Sequence, residues 1–545
     1  MSLFRILFVS ALAFGPAAAA AAPVNVVIGP DLIRQHFGGV GFHGEMFLDA
    51  ATPDYFDQVL AKRWRELNPS FARLMLHRER SRDANPLERL AQQLLFFKQA
   101  TGTEVYLTGG LRDVPEGEQR RAWAKSIVDE LEYLLKAGAT NVKSYCSTNE
   151  LSLHGWASLA RDLPTFRSYQ QALFDEIQKR GLPVKLLATD ASPVNHWDTI
   201  EWASQNMDEI TGVYGGHHYA ELPPDDPAFY DSFREKCAWV SGIAKAKGKD
   251  FILGEFGPQQ YFQTRWGVRW DSARFYGTPL EPLGGLQLGE AALAAINGGV
   301  YAMGYWTFTD YPDENAARSV NHWGLFKWMT NEAETRAPYY AYGLLTKFFR
   351  GPATVYRVQT DDGLLRAAAV RNEDSQAWSI AVINREPRSV PISIALAEDS
   401  GRAFRKYVYD TAHVPVTEDG DLQEPSGKLA AANGKLTDTV APMSLTVYTT
   451  AYHDEPPAPV RGLRVVPPGE GGGSRDATAL QWEANTEKDL CYYRIYQDNV
   501  RIGSTIKAEY VDAGPTRHRP GDYTVIAVNQ SGNASQPQRV SRTAR

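Results

Sequence analysis

Glu150 and Glu255 stand about a hundred residues apart, each closing a short apolar run. The first run is Val142-Lys143-Ser144-Tyr145-Cys146-Ser147-Thr148-Asn149, and the second is Phe251-Ile252-Leu253-Gly254. Runs of this length read as strands buried on both faces, which deliver their last residues at one rim of a sheet. Two carboxylates so delivered suit cleavage at an acetal carbon. One protonates the departing oxygen, and the other attacks or shields the carbon. Asn149 adds an amide next to Glu150, and Gly254 and Gly257 leave the surroundings of Glu255 uncluttered. Either glutamate alone reads as an ordinary ion-paired or solvated carboxylate; the chemistry needs both.

Other residues gain meaning beside that pair. Arg73, near the end of the run Phe71–Leu76, is placed to ion-pair with Glu255. In Gly216-His217-His218-Tyr219, either histidine alone reads as structural, while the Tyr219 hydroxyl can donate to Glu255 and favour its ionised form. Trp306 is either a core residue or the floor under a ring-shaped substrate. Asp190 and Asp310 also lie near strand ends and are the rival acids. The segment from Pro258 to Pro282 carries Trp266 and Trp270 among other aromatic residues. A loop of that length suggests a lid or a binding wall. Gly39-Val40-Gly41-Phe42-His43-Gly44 spells G-x-G-x-x-G, but it sits on a strand and no helix opens at its last glycine. Close backbone packing explains it better than a nucleotide site.

The positioning elements alternate. Strands are expected at Gly38–His43, Phe71–Leu76, Glu104–Thr108, Val142–Ser147, Val184–Thr189, Ile210–Tyr214, Phe251–Gly254 and Tyr301–Phe308. Amphipathic segments such as Pro86–Gln99, Gln119–Ala137, Thr165–Arg180 and Ala228–Ala246 lie between them, and Gly138, Gly181 and Gly248 follow closely as stop signals. Repeated βα units predict an α/β fold, a (β/α)8 barrel over 23–350, with an open doubly wound sheet as the alternative. From Ala353 the pattern becomes period-two, as in Trp378-Ser379-Ile380-Ala381-Val382, which predicts an antiparallel β-sandwich over 351–453. Glu455-Pro456-Pro457-Ala458-Pro459 reads as a stiff linker. A second sandwich is expected over 456–545, from Trp482, Tyr493-Arg494-Ile495-Tyr496 and Tyr523-Thr524-Val525-Ile526-Ala527.

The chain has 545 residues, too many for one core. A net charge of -7 argues against nucleic acid as a partner, since such binding rests on a basic surface. Residues 1–22 combine Arg5, an apolar run and an alanine tract, which predicts a signal peptide and export to the periplasm or the extracellular space. No membrane span is expected beyond it. The three cysteines, Cys146, Cys237 and Cys491, imply no disulfide framework. No cofactor is implied, and no Cys/His spacing resembles a zinc site.

Taken together these residues resemble the clan A glycoside hydrolases. That clan carries Asn-Glu at strand four, Glu at strand seven, His-x-Tyr at strand six, an aromatic residue at strand eight and an arginine at strand two. The matching positions are Asn149-Glu150, Glu255, His217-x-Tyr219, Trp306 and Arg73. The added sandwich and the fibronectin type III-like tail look most like glycoside hydrolase family 39, which includes β-xylosidases and α-L-iduronidases. That family usually has Trp-Asn-Glu-Pro where this chain has Thr148-Asn149-Glu150-Leu151. The resemblance implies a retaining enzyme acting on a poly- or oligosaccharide, with Glu150 as acid/base and Glu255 as nucleophile. It places Asn149, Arg73, His217, Tyr219 and Trp306 against substrate, and the loop aromatics Trp266 and Trp270 are expected to join them. A transglycosylase using the same carboxylates and a non-catalytic glycan-binding surface protein are the alternatives.

Overall fold

The computed structural model describes residues 22–76, 85–109, 117–153, 157–258, 281–312, 319–321, 323–329, 334–398, 401–466, 478–512 and 520–542. Strands β1 (Val24–His43), β2 (Phe71–Met75), β3 (Glu104–Thr108), β4 (Val142–Cys146), β5 (Lys185–Ala191), β6 (Val213–Tyr219), β7 (Phe251–Gly257) and β8 (Ala302–Tyr305) pair in sequence order. The pairing of β8 back onto β1 is parallel, from Gly39↔Ala302 to Phe42↔Tyr305, so the ring closes. An eight-stranded parallel ring of this kind has one rim built from strand C-termini, where the candidate residues gather.

Helices α1 (Ala61–Leu67), α2 (Pro86–Thr101), α3 (Glu118–Lys136), α4 (Leu163–Arg180), α5 (Asp198–Asn206), α6 (Phe229–Ala246), α7 (Pro282–Asn297) and α8 (Ala337–Phe348) surround the ring. In α2 the buried residues Leu90, Ala91, Leu94 and Phe97 fall on one helical face. Gly102, at φ 67°, ends that helix with the left-handed turn glycine adopts most easily. In α4 the Asp162 carboxylate accepts from the Thr165 N–H at 3.3 Å as a cap, and Gly181 terminates the helix. Helix α7 differs, because Leu286, Leu288, Ala291, Leu293 and Ile296 are all buried, together with Glu290, which pairs with Arg366 and Arg385. One side meets the barrel and the other meets a second sheet.

The glycine motif on β1 is a packing device. A Cβ on Gly41 would lie 1.6 Å from the Phe71 carbonyl oxygen of β2, so only glycine permits these strands to approach. The phosphate-binding alternative has no helix N-terminus at which to operate.

A short ribbon, β9 (Tyr311–Pro312) with β10 (Ser319–Asn321), follows β8. The second layer comprises β11 (Arg350–Thr360), β12 (Leu365–Asn372), β13 (Trp378–Asn384), β14 (Val390–Ala395), β15 (Phe404–Asp410), β16 (Gly427–Leu429), β17 (Lys435–Val440) and β18 (Ser444–Thr449). Its apolar interior includes Tyr356, Trp378, Ile380, Ile392 and Tyr448. The sequence assigns residues 23–37 to the barrel, and here the structure differs. Val24–Val27 pair with β14, and Val26–Ile28 pair with β11. Val26 and Ile28 are buried in the sandwich core. Alternating burial along 24–28 is the period-two pattern of a half-buried strand, unlike the continuous burial of a barrel strand. One strand therefore runs through both layers.

The C-terminal part contains a sheet of β19 (Arg461–Val466), β20 (Thr478–Glu483) and β23 (Glu509–Asp512), and another of β21 (Leu490–Gln497), β22 (Val500–Thr505), β24 (Gly521–Asn529) and β25 (Gln538–Arg542). The two enclose Leu480, Trp482, Tyr493, Ile495, Tyr523 and Val525. This part is docked on the barrel. Asp421, from the sandwich, pairs with Lys62 of α1, and the Arg501 guanidinium donates to it at 2.8 and 3.1 Å. The Tyr492 hydroxyl donates to the same carboxylate at 2.9 Å. The three cysteines are buried and free. No helix among the described residues is long and apolar enough to cross a membrane.

Candidate active site

The C-terminal rim of the ring places Glu150 just beyond β4 and Glu255 within β7. Their side chains are 13% and 9% exposed, facing the interior of the rim rather than its outside. A Glu150 oxygen, a Glu255 oxygen and a His217 nitrogen lie within 4.8 Å of one another. Glu150 has φ 58°, a left-handed backbone that non-glycine residues seldom adopt, as does Asp190 at φ 56°. Such positions persist where the surrounding fold over-determines them, and they concentrate at functional sites.

Each partner comes from a different strand. From β2, the Arg73 Nη1 donates to Glu255 Oε2 at 3.2 Å, and Nη2 donates to the Asn149 side-chain oxygen. From β6, the Tyr219 hydroxyl donates to the other Glu255 oxygen. His217 Nδ1 is 3.4 Å from Glu150 Oε1 and 3.5 Å from Glu255 Oε2. Residues 217 and 219 share one face because strand side chains alternate, which is why the motif has one residue between them. Trp306 follows β8 and packs on the His43 ring, with centroids 4.3 Å apart. Thus Asn149, Arg73, His217 and Tyr219 gather around the two glutamates, and Trp306 is linked to them through His43, which lies 3.3 Å from Arg73 Nη1. Trp266 and Trp270 lie outside the described residues.

Three residues at the site carry more than the sequence indicates. Asp190, read as a rival acid, is fully buried beneath the pair. Its Oδ1 is 2.9 Å from His217 Nε2 and its Oδ2 is 3.5 Å from Arg73 Nη2. His43 lies between Arg73 Nη1 at 3.3 Å and the Tyr311 hydroxyl at 2.9 Å. Position at the C-terminal end of a barrel strand is the signal that singles out both His43 and Asp190. Tyr311 follows β8 and has no such signal. Asp310, the other rival acid, is structural. It forms a two-pronged pair with Arg336 at 2.8 and 2.7 Å and accepts from the Gly324 N–H at 2.9 Å.

The electrostatics follow from burial and pairing. Burial alone lowers the His217 pKa, but the Asp190 and Glu255 carboxylates outweigh it and bring it up to about 10. His43, buried and beside Arg73, is held well below the ordinary histidine value and is neutral. Burial pushes the Glu255 carboxyl up and Glu150 adds to that; His217, Arg73 and the Tyr219 hydrogen bond pull it down. For Asp190 the balance reverses. Burial opposes ionisation, yet His217 and Arg73 hold its carboxyl below the usual value.

Glu150, His217 and Glu255 are close enough to share a cation. The Arg73 guanidinium also donates to one of the Glu255 oxygens in that cluster. A groove of about 1550 Å³ opens at the opposite end of the ring, lined by residues such as Arg34, Lys249 and Asp250. Arg34 and Asp250 pair with each other there.

No protein-family model matches the chain. An α-amylase from Niallia circulans is 28% identical over 190 residues, covering 31% of this chain and 14% of that protein. The chain thus spans a small part of that relative's length. Solved structures share the fold at low identity. A bacterial orthologue of human α-L-iduronidase superposes with a TM-score of 0.56 at 12% identity, over 95% of this chain and 99% of that one. A glycoside hydrolase family 30 subfamily 8 xylanase from Clostridium acetobutylicum gives 0.54 at 14% identity, over 78% and 99%. A family 51 α-L-arabinofuranosidase from Bifidobacterium longum gives 0.55 at 14% identity, over 79% and 100%.

Proposed function

We propose that this protein is a retaining glycoside hydrolase of the clan A type, acting on a poly- or oligosaccharide. Glu150 protonates the leaving oxygen and later deprotonates water. Glu255 attacks the anomeric carbon and forms a glycosyl-enzyme intermediate. The observation that carries the reading is the closeness of the two carboxylates, with oxygens within 4.8 Å. Retaining pairs stand about 5–5.5 Å apart, whereas inverting pairs leave about 6.5–9.5 Å for a water. The donor set supports the division of roles. Arg73 and Tyr219 both donate to Glu255, as a nucleophile that must be ionised requires. The fold shared with glycoside hydrolases of several families is consistent with this reading.

Trp306 and His43 form an aromatic floor beside the pair, on which a sugar ring would stack. Asn149, held by Arg73, is placed to take the hydroxyl next to the anomeric carbon. The enzyme is exported through its first 22 residues, and the tail is a fibronectin type III-like module.

A panel of 4-nitrophenyl glycosides and polysaccharides identifies the substrate. Glu255→Gln is expected to lower turnover by at least about 10⁴-fold, as loss of a covalent route demands. Azide is expected to rescue Glu255→Gly with an inverted glycosyl azide as product. Normal turnover by either variant removes Glu255 from its role.

A further inference from the structure

The two buried histidines of the rim stand in opposite charge states for a geometric reason. His43 faces a guanidinium N–H on one nitrogen and a hydroxyl on the other, so it is satisfied as a neutral ring. His217 faces only acceptors: Asp190 at 2.9 Å on Nε2, and Glu150 and Glu255 at 3.4 and 3.5 Å on Nδ1. The Asp190 contact is an ion pair rather than a formed hydrogen bond, and a ring with carboxylates close to both nitrogens is favoured as the cation. The space for this arrangement is made by Gly254. A Cβ there would lie 3.2 Å from His217 Nε2, 3.3 Å from the Tyr106 ring and 3.4 Å from Asp190 Oδ1.

We propose that Asp190 is a positioning residue that holds His217 as a fixed cation shared by Glu150 and Glu255, so that one negative charge passes between them during turnover over a constant counter-charge. The inference rests on the hydrolase reading and deepens it. In the first step a Glu255 oxygen bonds to the anomeric carbon while the glycosidic C–O bond breaks. Its electron pair leaves on the departing oxygen, which takes the Glu150 proton. Glu255 is then a neutral ester and Glu150 an anion. In the second step water oxygen bonds to the carbon and its proton goes to Glu150. The ester C–O bond breaks and returns its pair to Glu255. The pair carries one negative charge at both stages, first on one side of Nδ1 and then on the other, at nearly equal distance. A neutral imidazole would lose the ion pair with Asp190 that holds the ring.

The charged and titratable groups around His217 are Asp190 on β5, Glu150 beyond β4, Glu255 on β7, Arg73 on β2, His43 on β1, Tyr106 on β3 and Tyr219 on its own strand. Of these, Asp190 and Glu255 favour the imidazolium, whereas Arg73 opposes it.

Proton–carbon NMR correlation of the histidine Cε1–H groups tests the clamp without activity. The His217 signal is assigned by its loss in His217→Gln. In the wild type it is expected to stay at the imidazolium position from pH 5.5 to 8.5, and in Asp190→Asn to move to the neutral position within that range. Asp190→Asn is also expected to lower kcat on the 4-nitrophenyl glycoside the wild type cleaves by about 10²-fold, with KM within about threefold, since the ring is misplaced rather than the substrate site lost. A wild-type His217 that titrates near pH 6.5 overturns the proposal, even where Asp190→Asn does not fold. So does an Asp190→Asn enzyme with unaltered kcat. A wild type that turns over no glycoside removes the hydrolase reading and the charge transfer with it, while a His217 signal that stays at the imidazolium position then still supports the clamp, and one fixed at the neutral position overturns it.

Discussion

At the scale of single residues, the site is an arrangement of three carboxylates and two cations in a dry rim. Glu150, Glu255 and Asp190 face Arg73 and His217. One proton on a carboxylate balances the charges, which suits a pair in which one member is the acid. Tyr219 provides a direct test. Its hydrogen bond lowers the Glu255 pKa against burial, so its removal raises that pKa further. A nucleophile works ionised, so the acid limb of the kcat/KM profile moves to higher pH in Tyr219→Phe. The loss at pH 5 is therefore expected to exceed the loss at pH 7. A profile whose acid limb stays in place would mean that Glu255 is not the group titrating there.

At the scale of elements, close packing of β1 on β2 sets the geometry that brings Arg73 under the glutamates. Gly41 is the contact that matters, because its neighbour is a backbone carbonyl that has no rotamer to change. Gly41→Ala is expected to destabilise the protein by about 3 kcal/mol, the upper part of the range for overpacking, as read by urea unfolding. Helix α7 is the other decisive element. Its burial on every side, with Glu290 paired to Arg366 and Arg385, fixes the sandwich against the barrel, and β1 ties the same two layers through the backbone.

At the scale of the whole molecule, the tail is docked on the barrel rather than being a tethered appendage. Asp421 gathers Lys62 from the barrel with Tyr492, Arg494 and Arg501 from the tail, all in one largely buried network. Burial opposes ionisation of Asp421, but Lys62 and Arg501 hold its carboxyl well below the usual value. A lowered folded-state pKa contributes stability that is present above the unfolded value and is lost as pH falls through the folded one. The junction therefore holds at neutral pH and weakens only in strong acid. Asp421→Asn leaves Lys62 with Glu66 and Arg501 with Asp419, but removes the carboxylate that joins both of them to Arg494 and Tyr492. It is expected to cost about 3–5 kcal/mol and to speed proteolysis at Glu455–Pro459. An unchanged cleavage rate would show that the tail is held by other contacts.

What the sequence by itself determined is local. Apolar runs of strand length, glycines at helix ends and an acid at the last residue of a run are properties of contiguous residues. They were enough to locate the barrel strands and to nominate Glu150, Glu255, Arg73, His217, Tyr219 and Trp306. They also led to misplacements: 23–37 reads continuously with the barrel although its first residues pair with β11 and β14, and the sixth strand, read as Ile210–Tyr214, runs over Val213–Tyr219. Only the tertiary structure decided which charges meet. Asp190 and Asp310 are equivalent in sequence, each an acid after a strand, yet one clamps His217 and the other pairs with Arg336. The stiff Pro-rich linker predicts a spacer, whereas the docking of the tail depends on Asp421, Lys62 and Arg501, which are remote along the chain. Closure of the ring sets the distances across it, and that is a long-range property that no stretch of sequence encodes alone.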